Sequence, residues 1–351
     1  MKVTSGVGFK NVFEGAQILI NDGRIKLEVK DNISTHALIC ETVIGGEIEL
    51  NKGINFPGIT LDAPALTDQD KIDLRLALEM GADWIALSFV RSAKDLDSVL
   101  AIMDEAGVQR PVMAKIEKWE ALNDIGAITE SFDAVMVARG DLGVEIPAEQ
   151  VPLAQKQVIE VAATLGKPVV IATQMLESMV NSQTPTRAEV SDVANAIFDG
   201  VDAILVTGET AIGKYPVEVI STLNRVIQQT EKATDVQRTT LPEEVSKTAD
   251  AISHAVCEIA IDLDINAIMT MTHSGSTARM IARYRPFANV YALTPFDHIM
   301  RQLQLVWGIT PIQVETYKNM EVIPDICKEV IEKLQLIDQG SKFLITGGAP
   351  M

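Results

Sequence analysis

Two polar segments, each at the end of an apolar run, carry the residues best suited to chemistry. Lys115 and Glu117 follow the apolar run at 112–114, and Asp141 follows the run at 134–138. A buried parallel strand is apolar throughout and becomes polar where it leaves the sheet. We therefore expect an ammonium group and two carboxylates at one edge of one sheet. Such groups can hold a divalent cation and a developing anion together, which favours an enzyme acting on a small, oxygen-rich anion.

The elements that must position these residues are strands and helices that alternate from about residue 68. The predicted strands are 84–89, 112–116, 134–138, 169–172 and 203–206. The amphipathic segments that follow them are 93–106, 120–128, 148–165, 187–198 and 216–232. Repeated βα units imply a parallel sheet, and Gly81 and Gly200 stand where helix C-terminal caps belong. An eightfold barrel needs eight units. The five units therefore form either an open sheet or part of a barrel with three units outside the chain.

The segments on either side follow other patterns. Residues 1–58 are β-rich, and Asp22-Gly23 between the apolar runs 18–20 and 25–29 predicts a hairpin, with further short strands at 40–43 and 47–50. After a polar stretch at 235–244, a helix at 245–263 and strands at 267–271, 290–293, 309–314 and 343–346 predict a second α/β domain. We expect three domains: a partial β lid (1–58), a partial (β/α)8 TIM barrel (59–233) and an incomplete C-terminal α/β domain (234–351).

Composition excludes several classes of protein. The 351 residues carry a net charge of −18, which argues against nucleic-acid binding because that needs basic patches. No apolar stretch reaches the roughly 18 residues of a membrane span, and the first residues lack the apolar core of a signal peptide. The three cysteines, Cys40, Cys257 and Cys327, fit no disulfide or zinc spacing. We therefore expect a cytoplasmic protein that binds its anionic substrate through local cations, a metal ion and backbone N–H groups.

Five motifs in a fixed order resemble those of the pyruvate kinase family. They occupy residues 112–118, 137–145, 172–179, 185–196 and 208–211, and the resemblance covers residues 16–348. That family transfers the phosphoryl group of phosphoenolpyruvate to ADP, giving pyruvate and ATP in glycolysis. The resemblance thus implies a phosphotransferase, and it favours the partial barrel over the open sheet.

The resemblance also implies a role for each residue of the site. Glu117 and Asp141 would be the ligands of Mg²⁺ or Mn²⁺, and Lys115 would stabilise the transferring phosphoryl group and the enolate. The backbone N–H groups of Gly140 and Asp141 would face the substrate carboxylate at a helix start. Thr173 would contact the same carboxylate and lie on the path of the proton delivered to the enolate.

Simpler structural interpretations stand beside these roles. Lys115 and Glu117 could form a buried ion pair without chemistry, and Ser88, a candidate for orienting Lys115, could be a packing hydroxyl. Arg139 could pair only with a neighbouring carboxylate, so we keep it out of the catalytic set. Three further acids are interpreted as structural or surface groups: Glu145, Glu177 and Glu209.

A second polar loop follows the predicted strand at 267–271. Its residues are Thr272, His273, Ser274, Gly275, Ser276 and Thr277. Hydroxyls, a glycine and the first N–H groups of a helix can bind phosphate. In the family this loop binds a sugar-phosphate activator, and the alternative is a simple helix cap.

The chain also departs from the family pattern. By resemblance, three barrel strands precede the β domain, and they carry an arginine that contacts phosphate, the ligands of K⁺ and part of the nucleotide site. A final C-terminal strand is also expected beyond this chain. We therefore expect negligible kinase activity from this chain alone, and a homotetramer only with a complete barrel. The second possibility is a non-catalytic relative that keeps metal or effector binding or pairs with a full-length subunit. The third is a Mg²⁺-dependent barrel lyase acting on oxoacids.

Overall fold

The structure is a computed structural model that describes residues 8–21, 23–48, 52–61, 64–233, 248–317 and 319–347. The chain separates into two compact units. The first unit comprises Met1–Val161, Ile171–Met175 and Val206–Gly208, and the second comprises Ala162–Val170, Leu176–Leu205 and Glu209–Met351. Within the described residues, no helix is both long enough and apolar enough to cross a membrane.

The N-terminal part is a four-stranded antiparallel sheet. Its strands are β1 (Gln17–Ile20), β2 (Ile25–Ser34), β3 (Ala37–Ile44) and β4 (Ile54–Asn55), in the order β3-β2-β1-β4. Ile20 pairs with Ile25, which confirms the predicted hairpin, although Asp22 lies outside the described residues. The predicted strand at 47–50 is wrong at Glu47 and Ile48, which lie beyond the end of β3, and its other residues lie outside the described part.

A five-stranded sheet follows and contains the predicted strands. They are β5 (Ile85–Leu87), β6 (Val112–Ile116), β7 (Ala134–Ala138), β8 (Val169–Ala172) and β9 (Ala203–Leu205), in sequence order across the sheet. Every residue of β7 and β8 is buried, which explains why these runs are apolar throughout. In the part of the chain that the structure describes, β5 and β9 each have one neighbouring strand.

Helices connect these strands. They are α1 (Asp68–Glu79), α2 (Asp95–Ala106), α3 (Trp119–Asn123), α4 (Ile125–Ser131), α5 (Arg139–Glu145), α6 (Val151–Leu165), α7 (Arg187–Asp199), α8 (Gly208–Ala211) and α9 (Pro216–Ala233). Thr67 and Thr186 cap α1 and α7 with capping boxes. Gly81 and Gly200 follow their helices with φ of +77° and +93°, which confirms the predicted C-terminal caps.

Two helical segments differ from the sequence expectation. The segment predicted as one helix at 120–128 is broken into α3 and α4 at Asp124, whose carboxylate accepts a hydrogen bond from the backbone N–H of Ala93 at 3.1 Å. The segment predicted at 148–165 begins as a 3-10 turn at Ala148–Gln150 before α6. The Asp124 side chain thus binds a backbone N–H group outside its own helix. The hydrophobic periodicity of the segment cannot indicate such a contact.

The C-terminal part is a second α/β arrangement. Its elements are α10 (Thr248–Asp262), β10 (Ala267–Met271), α11 (Ser276–Ala282), β11 (Asn289–Thr294), α12 (Asp297–Leu303), β12 (Ile309–Gln313), α13 (Ile323–Leu334) and β13 (Leu344–Gly347). The four strands are parallel, in the order β12-β11-β10-β13. Strand order reverses between β10 and β13, and ligands of open α/β sheets bind at the carboxyl ends of the strands beside such a reversal. The predicted polar stretch at 235–244 lies outside the described residues.

Candidate functional site

The candidate site lies at the carboxyl ends of β6, β7 and β8. Lys115 is the fourth residue of β6, Glu117 follows that strand, and Asp141 lies in the first turn of α5, directly after β7. β6 and β7 pair in parallel, with Lys115 opposite Met136. The cation and the two carboxylates therefore leave adjacent strands at the same edge, as the apolar runs predict.

Lys115 is held by two side chains. Its Nζ donates a hydrogen bond of 2.9 Å to Ser88 Oγ and lies 2.6 Å from Glu117 Oε1 in an ion pair. A quarter of the Lys115 side chain remains exposed, so its ammonium is both oriented and accessible. Ser88 thus contacts the Lys115 ammonium, and its orienting role stays a prediction.

Glu117 is fully buried, which is costly for a carboxylate unless charges or donors compensate. Its Oε2 accepts a hydrogen bond of 2.8 Å from the backbone N–H of Phe89, a residue with φ of +56°. Among the described residues, Oε1 has no hydrogen-bond donor in suitable geometry, although Lys115 Nζ lies beside it. An oxygen atom in this state suits coordination of a hard cation.

The donor set around Glu117 and Asp141 fits Mg²⁺ or Mn²⁺. In the described part of the chain, no group of three or more histidine, cysteine or acidic side chains could hold a metal by itself. Mg²⁺ usually binds one or two carboxylates and completes its octahedron with waters and substrate oxygens. Two carboxylates at one strand edge would therefore suit a cation shared with a substrate better than a closed structural site.

Thr173 lies beside Gly140 at the end of β8. Its Oγ1 accepts a hydrogen bond of 2.8 Å from the Gly140 N–H and donates one of 2.6 Å to the carbonyl of Ala172. A Cβ at position 140 would lie 3.3 Å from Thr173 Oγ1, so a larger residue there would press on the hydroxyl. In this structure the Gly140 N–H therefore binds Thr173, whereas the family resemblance implies that it faces a substrate carboxylate.

Arg139, which the sequence analysis kept out of the catalytic set, makes contacts at this edge that the sequence did not predict. Its Nη2 donates hydrogen bonds to the carbonyls of Thr173 at 3.0 Å and Gln174 at 3.1 Å, and it lies 2.8 Å from Met175 Sδ. Thr173 and Gln174 both have left-handed backbones, with φ of +69° and +55°. No sequence signal could have shown this contact, because the partners are backbone carbonyls of another βα unit.

Two of the remaining acids make structural contacts. Glu145 Oε1 accepts hydrogen bonds from Lys118 Nζ at 2.6 Å and Asn55 Nδ2 at 3.0 Å. The buried Glu209 accepts one of 3.0 Å from the backbone N–H of Leu176. Glu177 is exposed at the start of a 3-10 turn. These positions agree with the structural interpretation of all three.

The second predicted loop follows β10, beside the reversal of strand order. Thr272 is buried, Gly275 has a φ of +77°, and Ser276 and Thr277 form the first turn of α11. The Ser276 N–H faces Ser274 Oγ at 3.4 Å, a long hydrogen bond. The loop thus offers hydroxyls and backbone donors at one strand end.

Aromatic rings lie beside this loop. The His273 ring stacks against Tyr317 with centroids 5.7 Å apart and an interplanar angle of 15°. It also contacts Phe296 in a tilted arrangement at 5.6 Å. These rings give the carboxyl edge of the second parallel sheet an apolar flank beside its hydroxyls.

Together, the fold and the polar residues at its strand ends define an α/β protein with a barrel-type sheet. The sequence matches the family profile "Pyruvate kinase, barrel domain" over residues 1–220 and "Pyruvate kinase, alpha/beta domain" over residues 250–351. The chain belongs to the pyruvate kinase family.

Similar proteins agree with this assignment. The chain is 46% identical over 342 residues to pyruvate kinase 2 of Synechocystis sp., an alignment covering 95% of this chain and 56% of that protein. It is 41% identical over 346 residues to a pyruvate kinase of Agrobacterium vitis, covering 97% of this chain and 71% of that protein. A crystal structure of a pyruvate kinase from Cryptosporidium parvum superposes with a TM-score of 0.90 at 34% identity, covering 96% of this chain and 71% of that one.

Proposed function

We propose that this chain carries the phosphoenolpyruvate and divalent-metal part of a pyruvate kinase. The observation that carries the proposal is Lys115 Nζ, bound to Ser88 Oγ at 2.9 Å and paired with the buried Glu117 at 2.6 Å. A cation oriented in this way, with Asp141 at the end of the adjacent strand, suits a substrate with both a carboxylate and a phosphate. Family membership selects phosphoryl transfer from the chemistries that such an edge could support.

In the proposed reaction, the bond between phosphorus and the enol oxygen breaks and the phosphoryl group passes to the terminal phosphate oxygen of ADP. The enolate that remains takes a proton at its methylene carbon and becomes pyruvate. Lys115 stabilises the negative charge on the phosphoryl group and on the enol oxygen. Glu117 and Asp141 would hold Mg²⁺ or Mn²⁺, which would supply Lewis-acid stabilisation when bound. The Thr173 hydroxyl contacts the substrate carboxylate and relays the proton in this proposal.

The proposal extends to partners. Phosphoenolpyruvate and ADP are the substrates, and K⁺ is the activating ion of the complete family site. The loop at Thr272 to Thr277 binds the phosphate of a sugar-phosphate effector. The protein acts in the cytoplasm, and the complete form is a homotetramer.

One structural observation favours a second candidate, a pyruvate-kinase-like chain that binds metal or effector without turnover. In the described part of the chain, the first parallel sheet has five strands, and its edges, β5 and β9, each have one neighbour. A closed barrel of this type needs eight strands. The chain also spans 56% of the length of the Synechocystis relative.

A coupled assay combined with intact mass separates the two candidates. The natural gene product is weighed, and both it and the isolated 351-residue chain are assayed for pyruvate formation from phosphoenolpyruvate, ADP and Mg²⁺. We expect turnover in the natural product when its mass exceeds that of this chain, and negligible turnover in the isolated chain. Normal turnover by the isolated chain would overturn the second candidate. Mn²⁺ binding without turnover in a longer natural product would overturn the first.

A further inference from the structure

The end of β8 has an unusual backbone. Thr173 and Gln174 are consecutive residues with positive φ, at +69° and +55°. A β-branched residue rarely adopts the left-handed region, because its side chain crowds the neighbouring carbonyl. Such a conformation persists only where surrounding groups impose it, and such positions concentrate at functional sites.

Arg139 supplies the groups that impose this conformation. Its Nη2 donates to the carbonyls of Thr173 and Gln174, at 3.0 and 3.1 Å, and contacts Met175 Sδ at 2.8 Å. Its Nε lies 3.4 Å from the same Thr173 carbonyl. The guanidinium thus binds the carbonyls of both left-handed residues, and its planar fork is suited to two neighbouring acceptors in a way that a lysine ammonium is not.

The same backbone conformation sets the position of the Thr173 hydroxyl. The Gly140 N–H donates to Thr173 Oγ1 at 2.8 Å, and Gly140 directly follows Arg139 in α5. Adjacent residues of one short helix therefore bind the carbonyl and the hydroxyl of one threonine. Were the backbone at Thr173 and Gln174 to relax to negative φ, Oγ1 would leave this position.

We propose that Arg139 is a positioning residue that holds Thr173 and Gln174 in the left-handed conformation and thereby fixes the Thr173 hydroxyl for catalysis. The catalytic part of this inference rests on the proposed function, whereas the conformational part stands on the contacts alone. Arg139 acts through Thr173, and its loss should affect the chemical step more than substrate binding.

The first experiment compares Arg139→Met with Arg110→Met in the natural gene product. Arg110 is the matched control because it too binds backbone carbonyls, those of Ala82 and Gln109 at 2.7 and 2.9 Å, but at the residues preceding β5 and β6. We expect Arg139→Met to lower kcat about 10²-fold, the scale of a small misplacement of a catalytic group. We expect the KM for phosphoenolpyruvate to stay within about twofold and Arg110→Met to leave both constants near wild type. An equal loss in both variants, or a loss confined to KM, would overturn the proposal.

A second variant tests the mechanism by suppression. Glycine adopts positive φ without strain, so Gln174→Gly should make the left-handed backbone less dependent on the hydrogen bonds from Arg139. The double variant Arg139→Met/Gln174→Gly should therefore recover about tenfold of the lost kcat, since the backbone is eased at one of two residues. A double variant no faster than Arg139→Met would contradict a conformational role.

A structural readout keeps this inference separate from the proposed function. Crystal structures of wild type and Arg139→Met report the φ of Thr173 and Gln174 without any turnover. We expect positive φ in wild type and a return of at least one residue to negative φ in the variant. Positive φ retained at both residues of Arg139→Met would overturn the inference, even in an active enzyme. Absence of turnover in wild type with the expected change in φ would instead refute the proposed function alone.

Discussion

The two parallel sheets of this chain place different chemistry at equivalent edges. At the carboxyl edge of the first sheet lie a lysine, a buried glutamate and residues with positive φ, among them Phe89 and Thr173. At the carboxyl edge of the second lie the buried hydroxyls of Thr272 and Thr294 and the ring of His273. The first edge concentrates charge and strain, whereas the second presents neutral donors and apolar rings.

This difference shows how one architecture serves two purposes. Burying a carboxylate and holding residues at unfavourable φ both cost free energy, and a protein keeps such features where pre-organised charge is useful. A loop that only binds a ligand can use hydroxyls and backbone donors, which cost little to desolvate when they are hydrogen-bonded. The comparison therefore supports our proposal that the first edge is catalytic and the second binds a ligand.

The largest effect should follow from removing the cation of the first edge. Lys115→Met should lower kcat by about 10³-fold, because a pre-organised donor at developing charge contributes on this scale. Steady-state assays of the natural gene product measure it. Lys156→Met, which removes an exposed lysine of α6, is the control and should remain near wild type. A loss below about tenfold would remove Lys115 from the catalytic role.

A smaller but still large effect should appear in metal binding. Glu117→Gln should raise the Kd for Mn²⁺ at least about tenfold, since an amide oxygen is a poorer ligand than a carboxylate. Electron paramagnetic resonance of free Mn²⁺ measures it, with thermal unfolding to exclude global damage. Glu209→Gln is the matched control, because Glu209 is an equally buried carboxylate, bound to the backbone N–H of Leu176, and has no part in the proposed metal site. Equal losses of affinity in the two variants would contradict the assignment of Glu117 as the ligand.

At the second edge, a moderate effect should appear in ligand affinity. Ser274→Asp should weaken binding of glucose 6-phosphate about tenfold, through repulsion between the carboxylate and the phosphate. Isothermal titration calorimetry measures it, and the Kd for Mn²⁺ should stay unchanged. Ser341→Asp, at an exposed position before β13, adds the same charge as a control. Binding by Ser274→Asp as tight as by Ser341→Asp would reduce the loop to a helix cap.

The smallest effect concerns the contribution of Glu189 to folding stability. We interpret the Glu189 carboxylate as purely structural, in contrast to Glu117. Burial acts to raise the pKa of Glu189, but hydrogen bonds from the backbone N–H and hydroxyl groups of Ser178 and Thr186 outweigh it and lower the pKa. A lowered folded-state pKa stabilises the fold above the unfolded pKa of about 4.3 and loses this contribution as pH falls through the folded value.

Urea unfolding of wild type and Glu189→Gln between pH 7 and pH 3 tests the contribution of the Glu189 carboxylate to the free energy of unfolding. Wild type should exceed the variant by about 1 kcal/mol at pH 7, and the difference should shrink as the pH falls through the folded pKa. A difference that is constant across this range would mean that the carboxylate charge contributes nothing.

Much of the first edge could be predicted because its signals are local. The apolar runs before Lys115 and Asp141 specify buried strands, and parallel strands bring their carboxyl ends to one edge. The five-strand count, the hairpin and the glycine caps follow from similarly short patterns. Domain boundaries at 58 and 233 remain a prediction, as do the roles of the site residues.

The features that escaped prediction depend on contacts between distant segments. Nothing in the sequence near Thr173 calls for a left-handed backbone, and its cause, Arg139, lies 34 residues away. Helix α5 has only seven residues, which is too short for a hydrophobic periodicity to be detected. It also has no capping side chain that would mark its start. The break at Asp124 likewise depends on a backbone group of a preceding loop.

The contact at Glu145 has a mechanical consequence for the first edge. Glu145 ends the helix that bears Asp141, and its partner Lys118 is the neighbour of Glu117. One oxygen of Glu145 therefore links α5, which bears Asp141, to Lys118, which is adjacent to Glu117. Asn55 of β4 binds the same oxygen atom. A tilt of the antiparallel sheet that is transmitted through Asn55 would displace α5 and the segment around Lys118 together. A common displacement of this kind would preserve the spacing between the two proposed ligands.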